Sequence, residues 1–120
     1  MAKKILIADD QRELVEGMKV RFEKDGYKVV EAFNGEECLE KAKKEIPDLI
    51  IMDVSMPQMD GYEAVREIKA DKTIKHIPIF MLTGKDQMED IFRLEGVLEY
   101  IIKPFDYEML SGLIKTLFKD

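Results

Sequence analysis

Short apolar runs alternate with amphipathic stretches along the whole chain. Five runs are too short for helices and are largely apolar at consecutive positions, as in strands that helices cover on both faces. They are Ile5–Ala8, Lys28–Ala32, Leu49–Met52, Ile77–Leu82 and Tyr100–Ile102. The second run is the most polar of the five, so we predict that it lies at an edge of the sheet.

The stretches between these runs have the periodicity of helices. Leu14, Met18 and Phe22 recur every four residues and predict one face of a first helix, which stops near Gly26. Capping boxes open a second helix (Asn34 with Glu37) and a third (Asp60 with Glu63), a fourth runs roughly from Gln87 to Glu95, and Asp106 caps a fifth. The predicted buried faces of the later helices contain Leu39, Ala42, Ala64, Val65, Ile68, Leu110, Leu113, Ile114 and Leu117.

Strict alternation of strands and helices predicts an α/β fold. We expect a (βα)5, doubly wound, five-stranded parallel sheet with right-handed crossovers, forming one domain over residues 1–120. In such sheets, ligands bind outside the carboxyl ends of the strands. The residues that follow each strand are therefore the place to look for chemistry.

Composition narrows the class of protein. The 120 residues are 46% hydrophobic and 37% charged, which is typical of a globular domain. A net charge of −6 disfavours direct nucleic-acid binding, and the single cysteine, Cys38, excludes an internal disulfide. No apolar run approaches the ~20 residues of a membrane span, and no signal peptide is recognisable, so we expect a cytoplasmic protein.

Polar side chains collect at the predicted carboxyl edge. Asp9 and Asp10 follow the first strand, Asp53 the third, Thr83 the fourth and Lys103 the fifth. Three converging carboxylates repel each other and raise each other's pKa, so a cation should hold them. Lys103 can offset part of the charge, and Mg²⁺, which prefers oxygen ligands, can offset more.

This set of side chains is suited to phosphoryl transfer. A carboxylate can attack phosphorus to form an aspartyl phosphate. The transfer needs little beyond positioning and charge stabilisation, which a metal, an ammonium and a hydroxyl supply. Asp53 as nucleophile, with Lys103 and Thr83 as its helpers, has the required parts.

Four segments, in order and with this spacing, match a known family. They are residues 5–10, 47–61, 78–84 and 100–105, which contain Ala8-Asp9-Asp10, Met52-Asp53, Leu82-Thr83-Gly84 and Lys103-Pro104-Phe105. The chain resembles the receiver domains of two-component response regulators, the CheY-like family, over essentially its full length. The resemblance implies the flavodoxin/CheY-like strand order 2-1-3-4-5 and a single-domain response regulator.

The resemblance also implies a role for each acid. Asp53 would be the phosphorylated residue. Asp10 and Asp53 would bind Mg²⁺ directly, and Asp9 would act mainly through water. The backbone carbonyl of Ser55 would complete the protein ligands to the metal.

Further roles are implied for the switch. Lys103 would pair with the phosphoryl group, Thr83 would move to hydrogen-bond it, and Tyr100 would swing inward behind Thr83. Pro104 would follow a cis peptide bond.

Partners are implied in the same way. A histidine kinase or phosphotransfer protein would donate the phosphoryl group, and the face of the fourth helix, fifth strand and fifth helix would signal to a downstream protein effector. The domain would catalyse its own phosphorylation and dephosphorylation as a switch, rather than turn over a substrate. We expect no contact with nucleic acid or membrane, and a monomer or a weak phosphorylation-dependent dimer.

The chain departs from the family between Thr83 and Lys103. It is about two residues shorter there than the usual spacing, and Gly96-Val97-Leu98 replaces the common Ala-Gly-Ala. We place the shortening in the fourth helix or the loop before it. This departure falls on the predicted output face.

Three other functions compete with this interpretation. A haloacid-dehalogenase-like phosphatase would need a second aspartate at position 55, where this chain has Ser55, and room for a cap domain. A flavodoxin-like cofactor binder would need a phosphate-binding loop after the first strand, where Asp9 and Asp10 would repel phosphate. A phosphorylation-independent interaction module is the third, and labelling of Asp53 separates it from a switch.

Overall fold

A computed structural model describes residues 2–84 and 95–119 and contains a single parallel sheet. Its strands are β1 (Lys4–Ala8), β2 (Lys28–Ala32), β3 (Leu49–Asp53), β4 (Ile79–Thr83) and β5 (Glu99–Ile102). All four neighbouring pairs are parallel, in the order β2-β1-β3-β4-β5. The predicted order and the edge position of β2 are both confirmed. Asp53 and Thr83, which we expected just after their strands, are the last residues within them.

In the part of the chain that the structure describes, four helices cover the sheet: α1 (Arg12–Lys24), α2 (Gly35–Glu45), α3 (Gly61–Ala70) and α4 (Tyr107–Leu117). The helix α4 is the fifth helix of the prediction. The helix predicted between β4 and β5 falls almost entirely on residues 85–94, which lie outside the described residues, as does the region to which we assigned the shortening. Within residues 2–84 and 95–119, no helix is long and apolar enough to cross a membrane.

The helices begin where the sequence places capping residues. The Asn34 carboxamide oxygen accepts the backbone N–H of Glu37 at 2.8 Å, and Asp60 and Asp106 cap α3 and α4 through their carboxylates. The Glu37 carboxylate pairs with Lys41 one turn later, at 3.3 Å, instead of completing the predicted capping box.

Each face of the sheet carries its own apolar core. Alternate strand residues point to opposite faces, so that Leu6 and Ile50 pack beneath α2 and α3, whereas Ile7 and Ile51 pack beneath α1 and α4. Cys38, at the first of these faces, is fully buried, as a packing role requires.

The buried face of α1 differs from the prediction by one position. Val15, Met18 and Phe22 are buried, while Leu14 is only half-buried. Spacings of three and four residues follow the 3.6-residue period more closely than two steps of four do. Val15 therefore takes the place on the buried face of α1 that we assigned to Leu14.

Candidate functional site

Three acids meet at the carboxyl edge of the sheet, as the sequence predicted. Ligand atoms of Asp9, Asp10 and Asp53 all lie within 4.8 Å of one another. Asp9 is fully buried and Asp53 is 7% exposed, whereas Asp10 is exposed to solvent. The cluster is thus open on one side and enclosed on the other.

Strand alternation explains which side chains converge. Every second residue of a strand lies on the same face of the sheet. Asp9, Asp53 and Lys103 therefore lie on the face of β1, β3 and β5 that packs beneath α1 and α4. Thr83, two residues after Met81, lies on the same face of β4 as Met81, which is the opposite face, beneath α2 and α3. The edge therefore presents the ammonium and the hydroxyl from different faces of the sheet.

The Lys103 ammonium ties two of the acids together. Its Nζ lies 2.8 Å from Asp9 Oδ2 and 2.9 Å from Asp53 Oδ1. A third hydrogen bond, of 3.1 Å, runs to the side-chain oxygen of Gln11. The peptide N–H of Lys103 donates to the carbonyl of Thr83 at 2.8 Å, which fixes the start of this side chain against β4.

Burial and neighbouring charges both act on the ionisation of Asp53 and Lys103. Burial raises the pKa of the Asp53 carboxyl; the hydrogen bond from Lys103 opposes that rise, and the nearby Asp9 carboxylate adds to it. Burial acts to lower the pKa of Lys103, but its hydrogen bonds and charge interactions with Asp9 and Asp53 outweigh that effect and raise it. The ammonium is therefore held in its charged form between carboxylates that repel one another.

The segment after Asp53 is packed closely by backbone atoms. The N–H of Ser55 donates to Asp53 Oδ2 at 3.2 Å, and the N–H of Gly61 donates to the carbonyl of Val54 at 2.8 Å. A Cβ on Gly61 would lie 2.5 Å from the Asp53 carbonyl oxygen and 2.9 Å from the Val54 Cα. Glycine at the start of α3 is what allows the helix to approach the site this closely.

Thr83 and Tyr100 share a face of the sheet. Thr83 is fully buried, and its hydroxyl donates to the carbonyl of Gly84 at 3.1 Å. Tyr100 pairs in register with Met81, two residues before Thr83, and packs half-buried against the core beneath α2 and α3. Burial raises the pKa of its phenol. Tyr100 lies within β5, as predicted, whereas Thr83 ends β4 instead of following it. The movement of both residues stays a prediction.

A cavity of about 900 Å³ opens beside the acids, between the loop after β1 and the loop after β5. The peptide bond from Lys103 to Pro104 at its rim is cis, as expected from the resemblance. The cavity is lined by Asp10, Gln11, Arg12, Glu13, Leu14, Lys103, Pro104 and Phe105.

Gln11 belongs to this site, although the sequence analysis did not select it. It is the N-cap of α1, yet its side chain makes no capping hydrogen bond and reaches Lys103 instead. The available signal was a glutamine at the N-cap of α1, a position where Ser, Thr, Asp or Asn would cap the helix better.

The acids suit a hard divalent cation. Each offers carboxylate oxygen, the donor that Mg²⁺ prefers, and their spacing allows one ion to contact several of them. Ser55 lies beside Asp53 through its backbone hydrogen bond, so its carbonyl belongs to the same turn. The individual ligand roles of Asp9, Asp10, Asp53 and Ser55 stay predictions.

Comparison with known proteins agrees with this geometry. The family model described as "Response regulator receiver domain" matches residues 5–115. The transcriptional regulatory protein PhoP for alkaline phosphatase synthesis, from Bacillus subtilis, is 39% identical over 99% of this chain. The match covers 50% of PhoP, so the chain spans about half the length of this relative.

Solved structures show the same fold. The signal receiver domain of a histidine kinase from Syntrophus aciditrophicus superposes with a TM-score of 0.88 at 35% identity, over 97% of this chain and 89% of that one. The receiver domain of the sensor histidine kinase PA1611 from Pseudomonas aeruginosa gives 0.90 at 26% identity, over 100% of both chains. That structure is described with a magnesium ion coordinated in its active-site cleft.

The chain therefore belongs to the response regulator receiver domain family of two-component systems. Receiver domains bind Mg²⁺ at an acidic site, and this chain has the corresponding acidic cluster. They also function with histidine kinases and with output effectors.

Proposed function

We propose that this receiver domain accepts a phosphoryl group on Asp53 from a phosphohistidine of a histidine kinase or phosphotransfer protein. The observation that carries the proposal is the position of Asp53, nearly buried among acids and 2.9 Å from the Lys103 ammonium. A single carboxylate held between like charges and one fixed cation is arranged for reaction. In a purely structural ion pair, the further carboxylates would only add repulsion.

The reaction is a transfer between two nucleophiles. A carboxylate oxygen of Asp53 attacks phosphorus, the bond from phosphorus to the imidazole nitrogen breaks, and the nitrogen keeps the electron pair. The product is an acyl phosphate on Asp53 and a donor histidine without its phosphoryl group. Lys103, already beside Asp53, is placed to donate to a phosphoryl oxygen as charge builds there.

Asp9, Asp10, Asp53 and the Ser55 carbonyl would hold Mg²⁺, which supplies positive charge against the carboxylates and the phosphoryl oxygens. Asp9 also accepts the backbone N–H of Gln11 at 2.9 Å, which fixes the loop after β1 in place. Asp10, the exposed acid, faces the open side from which a donor must approach.

The output follows from the charge that the product carries. A phosphoryl group adds roughly 1.5–2 negative charges, and the hydroxyl of Thr83 is the neighbouring donor that can turn toward it. Tyr100, on the same face as Thr83, would then fill the space behind it. A protein effector would read the change on the surface formed by β5, α4 and the chain before β5.

Labelling tests the proposal directly. The purified chain is incubated with acetyl phosphate, with and without Mg²⁺, and the protein-bound phosphate is quantified. We expect acid-stable, base-labile label that depends on Mg²⁺ and is absent from Asp53→Asn. Asp48→Asn is the matched control, because it makes the same change at the opposite, exposed end of β3, where Asp48 binds the Lys4 N–H at 2.8 Å. A wild-type chain that takes no label would refute the proposal and favour a phosphorylation-independent interaction module.

A further inference from the structure

The Lys103 ammonium has three N–H donors, and three side chains accept them. Two acceptors are the charged oxygens of Asp9 and Asp53, and the third is the neutral amide oxygen of Gln11 at 3.1 Å. A carboxylate at position 11 would be the fourth in the site and would add to the repulsion among the acids. An apolar residue would leave one N–H to water, because the side chain is 23% exposed.

Gln11 is anchored at both ends. Its backbone N–H donates to Asp9 Oδ1 at 2.9 Å, while its side chain accepts from Lys103. It therefore links the first and last strands through the same two residues that face Asp53. Its backbone is thereby held in place, so that only rotation of the Gln11 side chain can take the amide away from the ammonium.

The position carries this residue at a cost to helix capping. Gln11 is the N-cap of α1 with extended backbone angles of −82° and 93°, and it makes no side-chain cap hydrogen bond. Asparagine or serine would accept an N–H of the first turn there and stabilise the helix. A residue that caps its helix poorly and contacts the site instead indicates a functional role.

We propose that Gln11 is a positioning residue that holds the Lys103 ammonium at the phosphoryl position beside Asp53. The inference rests on the proposed function. A neutral acceptor does not compete with the carboxylates for a cation. It also keeps hold of the ammonium while the carboxylate oxygens exchange their partners. The effect of Gln11 should therefore fall on the transfer step, and not on metal affinity.

The test uses two substitutions with opposite effects on stability. Gln11→Asn shortens the side chain by one methylene, ~1.5 Å, which takes the amide out of hydrogen-bond range of Lys103 but lets it cap α1. Gln11→Met keeps the length and removes the strong acceptor. We expect both to slow labelling by acetyl phosphate about tenfold, while Gln11→Asn melts roughly 2–4 °C higher than wild type.

Two further measurements isolate the role of Gln11. Mg²⁺ affinity, read from tyrosine fluorescence with the metal alone, should change less than twofold. The ¹⁵N-edited ammonium signal of Lys103, identified by its absence in Lys103→Met, should be protected from solvent exchange in wild type and lost in both Gln11 variants. Gln58→Asn is the matched control: it makes the same change at an exposed residue whose φ is 67°, a conformation that asparagine tolerates, and it should label at the wild-type rate.

The outcomes separate the two proposals. If wild type labels on Asp53 and both Gln11 variants label equally fast, the positioning role is refuted and the proposed function stands. The positioning role is also refuted if the labelling rate simply follows melting temperature or metal affinity. If wild type takes no label, both proposals fail, and the Lys103 signal then reports only a structural contact.

Discussion

The two glycines Gly61 and Gly112 allow one substitution to be compared in two surroundings. Gly61 opens α3 and Gly112 lies inside α4, and neither has a positive φ, so alanine is compatible with both backbones. A Cβ at Gly112 would meet nothing within 4 Å. A Cβ at Gly61 would lie 2.5 Å from the Asp53 carbonyl oxygen, a backbone atom that cannot rotate away.

The expected stabilities follow from these distances. Gly112→Ala should raise the free energy of unfolding by about 0.5–1 kcal/mol, the usual gain from removing glycine inside a helix. Gly61→Ala should lower it by about 1–2 kcal/mol, because overpacking of roughly 1–3 kcal/mol exceeds the smaller propensity gain at a helix start. The same methyl group should thus change stability in opposite directions.

Urea unfolding followed by far-ultraviolet circular dichroism measures both effects. With a slope of roughly 1–3 kcal/mol/M, Gly61→Ala should unfold at about 1 M less urea than wild type, and Gly112→Ala at slightly more. The shift forced at Gly61 acts on the segment from Asp53 to Ser55, so Mg²⁺ affinity should fall in that variant alone. A Gly61→Ala chain as stable as wild type would show that the segment after Asp53 yields easily, contrary to the packing argument.

Three further predictions test other parts of the molecule. Lys103→Met leaves the Asp9 and Asp53 carboxylates without their shared ammonium, so it should lower the free energy of unfolding by about 2–4 kcal/mol. Mg²⁺ should raise the melting temperature of this variant more than that of wild type, and an equal response to the metal would contradict the prediction. Cys38 is fully buried and its pKa is raised to about 12, so Ellman's reagent at pH 8 should react at least a hundredfold more slowly with native than with urea-unfolded protein; fast native reaction would place the thiol at the surface. Ile46 has a φ of 44° and is 45% exposed, so Ile46→Asn should stabilise the chain by about 1 kcal/mol in thermal unfolding; a loss of stability would refute the strain.

Much of the fold could be predicted because local signals agreed with the global arrangement. The strand β2 was predicted with its observed bounds and at its observed edge, and Asn34, Asp60 and Asp106 cap the helices that they were expected to open. Val15 was missed because stepping in fours drifts from the helical period over two turns. That error changes one buried side chain and leaves the orientation of α1 nearly unaltered.

The sequence predicted which residues form most of the site, but not which of them contact one another. Strand ends indicated Asp9, Asp10, Asp53, Thr83 and Lys103, because parallel strands bring their carboxyl ends to one edge. Sequence alone did not divide them between faces, since that depends on where each strand ends, and Asp53 and Thr83 proved to be strand residues. Gln11 was missed because its role arises from a side-chain hydrogen bond across the fold, and the local sequence shows only a residue poorly suited to capping α1.

The hydrogen bond from Lys103 to Asp9 also bears on the order of events as the chain folds. The two residues are 94 positions apart, and their strands, β5 and β1, are separated in the sheet by β3 and β4. The acids of β1 and β3 can meet as soon as those neighbouring strands pair, but the ammonium arrives only when β4 and β5 have been added. A chain still emerging from the ribosome, or one cut before residue 99, lacks Lys103, so any pairing of β1 with β3 in it would bring the carboxylates together with no cation from β5 beside them. Completion of the sheet is thus the event that assembles the nucleophile and its counter-charge together.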